Sequence, residues 1–301
     1  MGEKPFKVAP MALSMSPNWM YIFDSSLALK LKPGEYTIDE LNEYHYNATI
    51  DTNGFRVSPY LNNLLTNARN DSAAQIIFLG AGSTFGQGLS DTDAYVYALQ
   101  KLMPQFKFRN QAVMGYGVPN NFVQVNQLKE VRRGDLVIYI YHADQDNRYS
   151  LKNQKSALNI IASNKSFTNY HYLTLDSNLT THLHKYNYTL WPLSEHSALI
   201  NYLENAYNNF RDSKTNNNSI SRKAILAMHQ KCTSLGLRFW VVCWKSDQLS
   251  LETLDYLNNN GVKTMHVPVV IGFDHIPKSE IAKTNKLFAD SLAKRIAIEM
   301  Q

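Results

Sequence analysis

Cysteine is nearly absent from this sequence: there are two in 301 residues, Cys232 and Cys243. Two thiols form at most one intrachain bridge, which excludes a disulfide framework and a cysteine-rich zinc protein. Charge is sparse as well. Only 18% of residues are charged, and 30 Lys plus Arg against 25 Asp plus Glu leave a formal +5 with no long basic run. Without a clustered basic stretch or a recognisable module, nucleic acid is not an expected partner. No window holds the roughly 20 apolar residues that cross a bilayer, and the opening MGEKPFKVAPMALSMS lacks a signal-peptide core. A membrane span is therefore not expected. The native compartment stays open, with a bacterial envelope or extracellular address included if an anchor or signal has been removed. Asn-x-Ser/Thr triplets at Asn47, Asn70, Asn164, Asn178, Asn187 and Asn217 are what an asparagine-rich chain produces by chance, and are not read as glycosylated.

Apolar residue is plentiful, at 44% of the chain, and the length suffices for a large buried core. The first 73 residues read as an N-terminal arm of short strands and turns, with Lys32-Pro33-Gly34 and Asp51-Thr52-Asn53-Gly54 as turn signals. Trp19, Tyr21, Phe23, Tyr36, Tyr44 and Tyr46 would fasten this arm to the main body. From Ala74 the pattern becomes α/β. A strand is predicted over Gln75–Leu79, a helix over Asp91–Leu102, a strand over Phe106–Ala112, a helix over Asn120–Val131 and a buried parallel strand over Asp135–Tyr141. Residues 149–219 read as an insertion, with a strand over Asn169–Leu175 and a helix over Leu199–Phe210. The rhythm then resumes: helix Ser221–Leu235, strand Arg238–Trp244, helix Leu249–Asn259, strand Val262–Val267 and helix Ser279–Glu299. Residues 74–301 thus form one α/β domain with a parallel central sheet covered on both faces.

The densest chemical signal is Leu79-Gly80-Ala81-Gly82-Ser83-Thr84-Phe85-Gly86-Gln87-Gly88. A small-residue turn from strand to helix exposes backbone N–H groups that can stabilise an anion or a developing oxyanion. It is not a nucleotide P-loop, because no Lys follows Gly86 or Gly88 in the required place, and it is not G-x-S-x-G, because Gly82 directly precedes Ser83. A plain packing turn is the bland alternative. Near the other end, Phe273-Asp274-His275-Ile276-Pro277 holds a carboxylate beside an imidazole before the final helix. Those are the residue types that a serine nucleophile needs, although Asp274 could equally cap the helix and His275 sit at the surface.

These blocks, with Asn110-Gln111-Ala112-Val113-Met114-Gly115-Tyr116-Gly117 and the run Asp135 to Asp144, resemble the SGNH or GDSL-like hydrolase superfamily from about Gln75 to Ile296. The resemblance implies a three-layer flavodoxin-like fold and esterase chemistry on acyl or O-acetyl bonds, those of a glycan among them. It implies no cofactor. Matched position by position, the family's nucleophile falls on Gly82, with Ser83 one residue later. The family's glycine falls on Ala112, near Gly115, and its asparagine on Ala143, between His142 and Asp144. The late aspartate matches Asp274, while the histidine position falls on Ile276, one residue after His275.

Two readings follow. In one, Ser83 attacks an ester carbonyl, His275 is base and then acid, Asp274 supports it, and the Gly82, Ser83 and Gly115 amides hold the oxyanion, with His142 a substitute base. In the other, the pocket persists without the serine mechanism, as a binding or accessory protein in polysaccharide modification. His171, His182, His184 and His196 lack neighbouring cysteines or acids at zinc spacing, so no metal is expected. His142, Asp144, Asp146 and Arg148 either line a pocket or form a solvated loop. Trp240 and Trp244 follow strand alternation, and Trp191-Pro192 is a candidate for lining a pocket or anchoring the insertion, with plain packing as the default.

Overall fold

The structure is a computed structural model, and it describes residues 13–40, 44–57, 73–147, 171–185, 191–194, 196–213, 218–271 and 278–300. Five short β-favouring runs build its centre: β7 (Gln75–Leu79), β8 (Lys107–Asn110), β9 (Leu136–Ile140), β12 (Arg238–Cys243) and β13 (Lys263–His266). All pair in parallel, in the order β8-β7-β9-β12-β13. Numbered along the chain that order is 2-1-3-4-5, the flavodoxin-like arrangement. The expectation of a parallel α/β sheet is met.

Alternation along each strand divides the core into two faces. Ile77, Leu79, Val137 and Tyr139 join Val118, Ala224, Met228 and Leu254 on one face, while Ile76, Phe78, Leu136 and Ile138 join Tyr95, Leu99, Phe288 and Leu292 on the other. The covering helices are α3 (Val118–Asn126), α5 (Asn218–Ser234) and α6 (Gln248–Asn259) on the first side, and α2 (Tyr95–Leu102) and α7 (Lys278–Glu299) on the second. Fully burying one such aliphatic or aromatic side chain is worth about 1.5–3 kcal/mol. This core dominates the stability of the sheet.

The first segment does more than pack on this body. Strands β1 (Leu13–Ser16), β4 (Gly34–Glu40), β5 (Tyr44–Ile50) and β6 (Arg56–Val57) continue the same sheet antiparallel beyond β8, making nine strands among the described residues. β2 (Tyr21–Asp24) and β3 (Ala28–Leu31) form a separate hairpin. Tyr36, Tyr44 and Tyr46 are buried with Met20, Phe85, Leu89 and Met114, and Trp19 and Tyr21 pack against that cluster, while Phe23 is exposed beside His171. In the region read as an insertion, β10 (His171–Leu175) and β11 (Thr181–Lys185) form a hairpin, followed by α4 (Ala198–Ser213).

One boundary moved for a visible reason. The helix expected from Asp91 starts at Tyr95, because the Asp91 carboxylate is held by Arg56 Nε at 2.9 Å and by the Thr49 N–H at 3.0 Å. Arg56 is itself buried, and donates further to the carbonyls of Phe85, Gly86, Leu89 and Asn47. One side chain from β6 thereby sets the path of the loop after β7.

Candidate functional site

In an open parallel sheet, ligands bind beyond the carboxyl ends of the strands, where the strand order reverses. Here that point lies between β7 and β9, and the segments leaving β7, β8 and β9 carry Ser83, Ala112 and His142.

After β7 the chain turns at once into the single-turn helix α1 (Gly82–Phe85), which ends on Gly86 at φ 88°. A Cβ at Gly86 would lie 2.9 Å from both Ala94 Cβ and Arg56 Nη1, so the left-handed turn and the close approach both demand glycine. At Gly82, the space a side chain would enter is taken by the carboxamide oxygen of Gln87. Gln87 Nε2 donates to Glu40 Oε1 at 2.5 Å, and the Tyr46 hydroxyl donates to Glu40 Oε2 at 3.3 Å. Burial pushes the Glu40 carboxyl above its ordinary value. Ser83 follows, with its Oγ buried and without a hydrogen-bond partner among the described residues. The first amides of a helix have no intrahelical acceptor, which leaves the Gly82 and Ser83 N–H groups at the opening of α1.

The segment after β8 is tied to this turn. Asn110 Nδ2 donates to the Thr84 carbonyl at 2.9 Å, and Asn110 Oδ1 accepts from the Ala112 N–H at 3.2 Å. The Ala112 amide is thus committed to Asn110. Gly115 is exposed at φ 89°.

After β9, His142 is buried, its Nδ1 3.4 Å from Asp144 Oδ2 and its ring 5.8 Å from the Trp244 ring. Lys245 Nζ donates to the same Asp144 oxygen at 2.5 Å. His142 first, and then Lys245, hold the Asp144 carboxyl well below the usual carboxylate range. The Ala143 N–H donates to Ser250 Oγ at 2.8 Å, and that hydroxyl donates to Asp247 Oδ2 at 2.7 Å. Ala143 therefore offers neither a side-chain donor nor a free amide. Asp146 is buried behind this turn, where burial pushes its carboxyl up to about 6 against hydrogen bonds from Asn218, Ser221 and Tyr141.

The same edge of the sheet thus gathers Gly82, Ser83, Ala112, His142, Ala143 and Asp144. Asp274, His275 and Arg148 lie outside the described residues. Gln87 and Glu40 escaped sequence reasoning. Gln87 sits inside the glycine-rich block, but nothing in the chain order signals that Glu40, 47 residues earlier, would hold it. Among the described residues no group of three or more His, Cys, Asp or Glu is placed to hold a metal ion. His182 instead meets Asp176 at 3.0 Å and His184 meets Thr174 at 2.8 Å.

No protein-family model matches the chain, and no curated protein does. Solved structures do. A member of the lipolytic protein G-D-S-L family from Veillonella parvula is similar at 10% identity and TM-score 0.40, covering 74% of this chain and 100% of its own. A GDSL-like lipase from Bacteroides thetaiotaomicron is similar at 9% identity and TM-score 0.39, covering 79% of this chain and 98% of its own. At such values the description of the fold rests on the strand order itself. No helix among the described residues is long and apolar enough to cross a membrane.

Proposed function

We propose that this chain has an SGNH-type hydrolase scaffold whose crevice binds an acyl or glycan ligand without cleaving it. The carrying observation is at Gly82, the position that the family resemblance assigns to the nucleophile: it has no side chain, and the Gln87 carboxamide fills the space. At the positions that the resemblance gives to its glycine and asparagine, the Ala112 and Ala143 amides already have acceptors, and Ala143 has no carboxamide to donate. Preorganised donors contribute to catalysis only when aimed at the developing charge, and these two are engaged within the fold, which leaves the Gly82 and Ser83 amides for a ligand oxygen. What remains is a polar edge built from His142, Asp144 and Lys245, suited to hydrogen bonding a ligand.

A second reading keeps Ser83 as nucleophile, with His275 and Asp274, or His142 held by Asp144, as base. It is favoured by the Gly82 and Ser83 N–H groups at the opening of α1, where a developing oxyanion could be held, and it requires the buried Ser83 Oγ to become accessible. One experiment separates the two. The chain is incubated with a short-chain aryl ester, an O-acetylated glycan and a fluorophosphonate probe, beside the Ser83→Ala variant. The binding reading expects no turnover above the variant and no labelled serine. Covalent labelling at Ser83, or ester cleavage that Ser83→Ala abolishes, overturns it and establishes the hydrolase.

A further inference from the structure

A surface helix ordinarily lays its apolar stripe on the core and keeps its polar residues in water. Helix α4 (Ala198–Ser213) does the reverse. Among its described side chains, those buried are Asn201 and Glu204. The Glu204 carboxylate accepts from the Trp191 N–H at 2.9 Å and from the Ser194 hydroxyl, and Asn201 Oδ1 accepts from Asn205 Nδ2 at 2.8 Å. The helix is thus seated through its polar side on the turn that precedes it. Its other side carries Leu199, Tyr202, Leu203, Ala206, Tyr207 and Phe210, all of them exposed. Leu199 is 66% exposed, Tyr202 70% and Phe210 62%. The patch extends past the helix. Trp191 lies with its ring 5.6 Å from the Tyr207 ring, and Leu193, whose carbonyl accepts from the Ser197 N–H at 2.8 Å, is exposed as well.

The pattern of the stripe selects its occupant. Leu199, Leu203, Ala206 and Phe210 repeat at the alternating spacing of a coiled-coil seam, with Tyr202 and Tyr207 on its flanks. The stripe itself carries no charge. Glu204 is turned into the protein, and Arg211 and Asp212, the other charged residues of α4, stand in its last turn. An identical stripe laid against this one antiparallel therefore meets no like-charge repulsion, and the helix dipoles oppose. A helix lying on a bilayer instead keeps a Lys- and Arg-rich polar side in water, whereas Asn201 and Glu204 hold that side of α4 against the protein. Covering the stripe with Trp191 and Leu193 would bury on the order of 800 Å² per partner, the size of a standard interface and more than the roughly 300–600 Å² patch of a typical monomer. A two-fold axis midway between positions 204 and 205 sets Leu199 against Phe210 of the partner subunit and Leu203 against Ala206 of the partner subunit, so that large and small residues interdigitate. We propose that two copies of this chain associate through α4, packed antiparallel, into a symmetric dimer.

The test is sedimentation velocity of the full chain at about 1 to 100 μM, because a dimer is populated by mass action. A species of twice the 34.4 kDa chain mass is expected. Leu203→Glu sets two like charges near the centre of the seam and should weaken association at least about a hundredfold. Leu203→Lys should do the same, and an equimolar mixture of the two variants should recover the dimer, because only a partner carrying the same position can supply the opposite charge. Leu102→Glu, at an exposed leucine that ends α2, should leave the mass unchanged. A monomer at the highest concentration, an unchanged dimer in Leu203→Glu, or no recovery in the mixture overturns the proposal. In a chain that stays monomeric, flotation with phosphatidylglycerol vesicles that Leu203→Glu abolishes would assign the face to a lipid surface. A urea midpoint that Leu203→Glu lowers in that monomer would assign it to another segment of the chain. Either result replaces the dimer.

Discussion

The loops leaving β7 and β9 sit side by side at one edge of one sheet, yet they are held in different ways. The first, Gly82 to Leu89, is fixed by groups from far upstream: the Arg56 guanidinium on three of its carbonyls and Glu40 on Gln87. The second, His142 to Asp146, is fixed from within the parallel half, by Lys245, Ser250 and Asn218. The first arrangement fills the space over Gly82. The second leaves a buried imidazole and a partly exposed carboxylate in contact. The first loop thus depends on a remote segment for its shape, whereas the second is cross-linked by groups of the parallel half.

The largest effect is expected at Arg56. Arg56→Met leaves Asp91 without its cation and three loop carbonyls without their donor, and removal of one partner from a buried pair costs about 3–5 kcal/mol. Urea unfolding should show that loss, and hydrogen exchange should place the opening in the β7 loop and not in the β9 loop. The next effect belongs to Asp146. Its folded-state value near 6 stands above the ordinary 3.8, so the native state holds the proton more tightly and stability falls as pH rises from about 4 to about 6. The contribution is up to roughly 3 kcal/mol, and Asp146→Asn should flatten this part of the stability profile measured by urea titration at each pH.

Smaller effects are expected at Ser250 and Gly82. Ser250→Ala strands the buried Ala143 N–H, and should cost about 1–3 kcal/mol in urea unfolding, with the β9 loop loosened and the β7 loop unaffected. At the β7 loop, Gly82→Ser should destabilise the unaltered chain more than it destabilises a Gln87→Ala background. The coupling should be about 1 kcal/mol, read from a double-mutant cycle. Zero coupling would mean that the Gln87 carboxamide does not contest the space over Gly82.

Much of the fold was legible in the chain. The strands at Gln75–Leu79, Leu136–Ile140 and Arg238–Cys243 are short apolar runs bounded by turns, and fully buried parallel strands need little else. The glycine-rich turn after β7 was legible for the same local reason. Less visible was the place of the first strands: short alternating runs such as Tyr44–Ile50 say that one face is buried, not which sheet they extend. The helix start at Tyr95 was also hidden, because Asp91 reads as a helix-initiating residue until Arg56 claims it.

By itself, the sequence determined the α/β rhythm, the scarcity of cysteine chemistry, and the presence of glycine and alanine at the positions where the family resemblance expects working side chains. These are properties of composition and of near neighbours, which chain order preserves. Only the tertiary structure decided that Gln87, held by Glu40, fills the space over Gly82 and that the Ala112 and Ala143 amides are already bonded. Each of those depends on which distant groups share a few ångströms, and hydrogen bonds and ion pairs act only over that range.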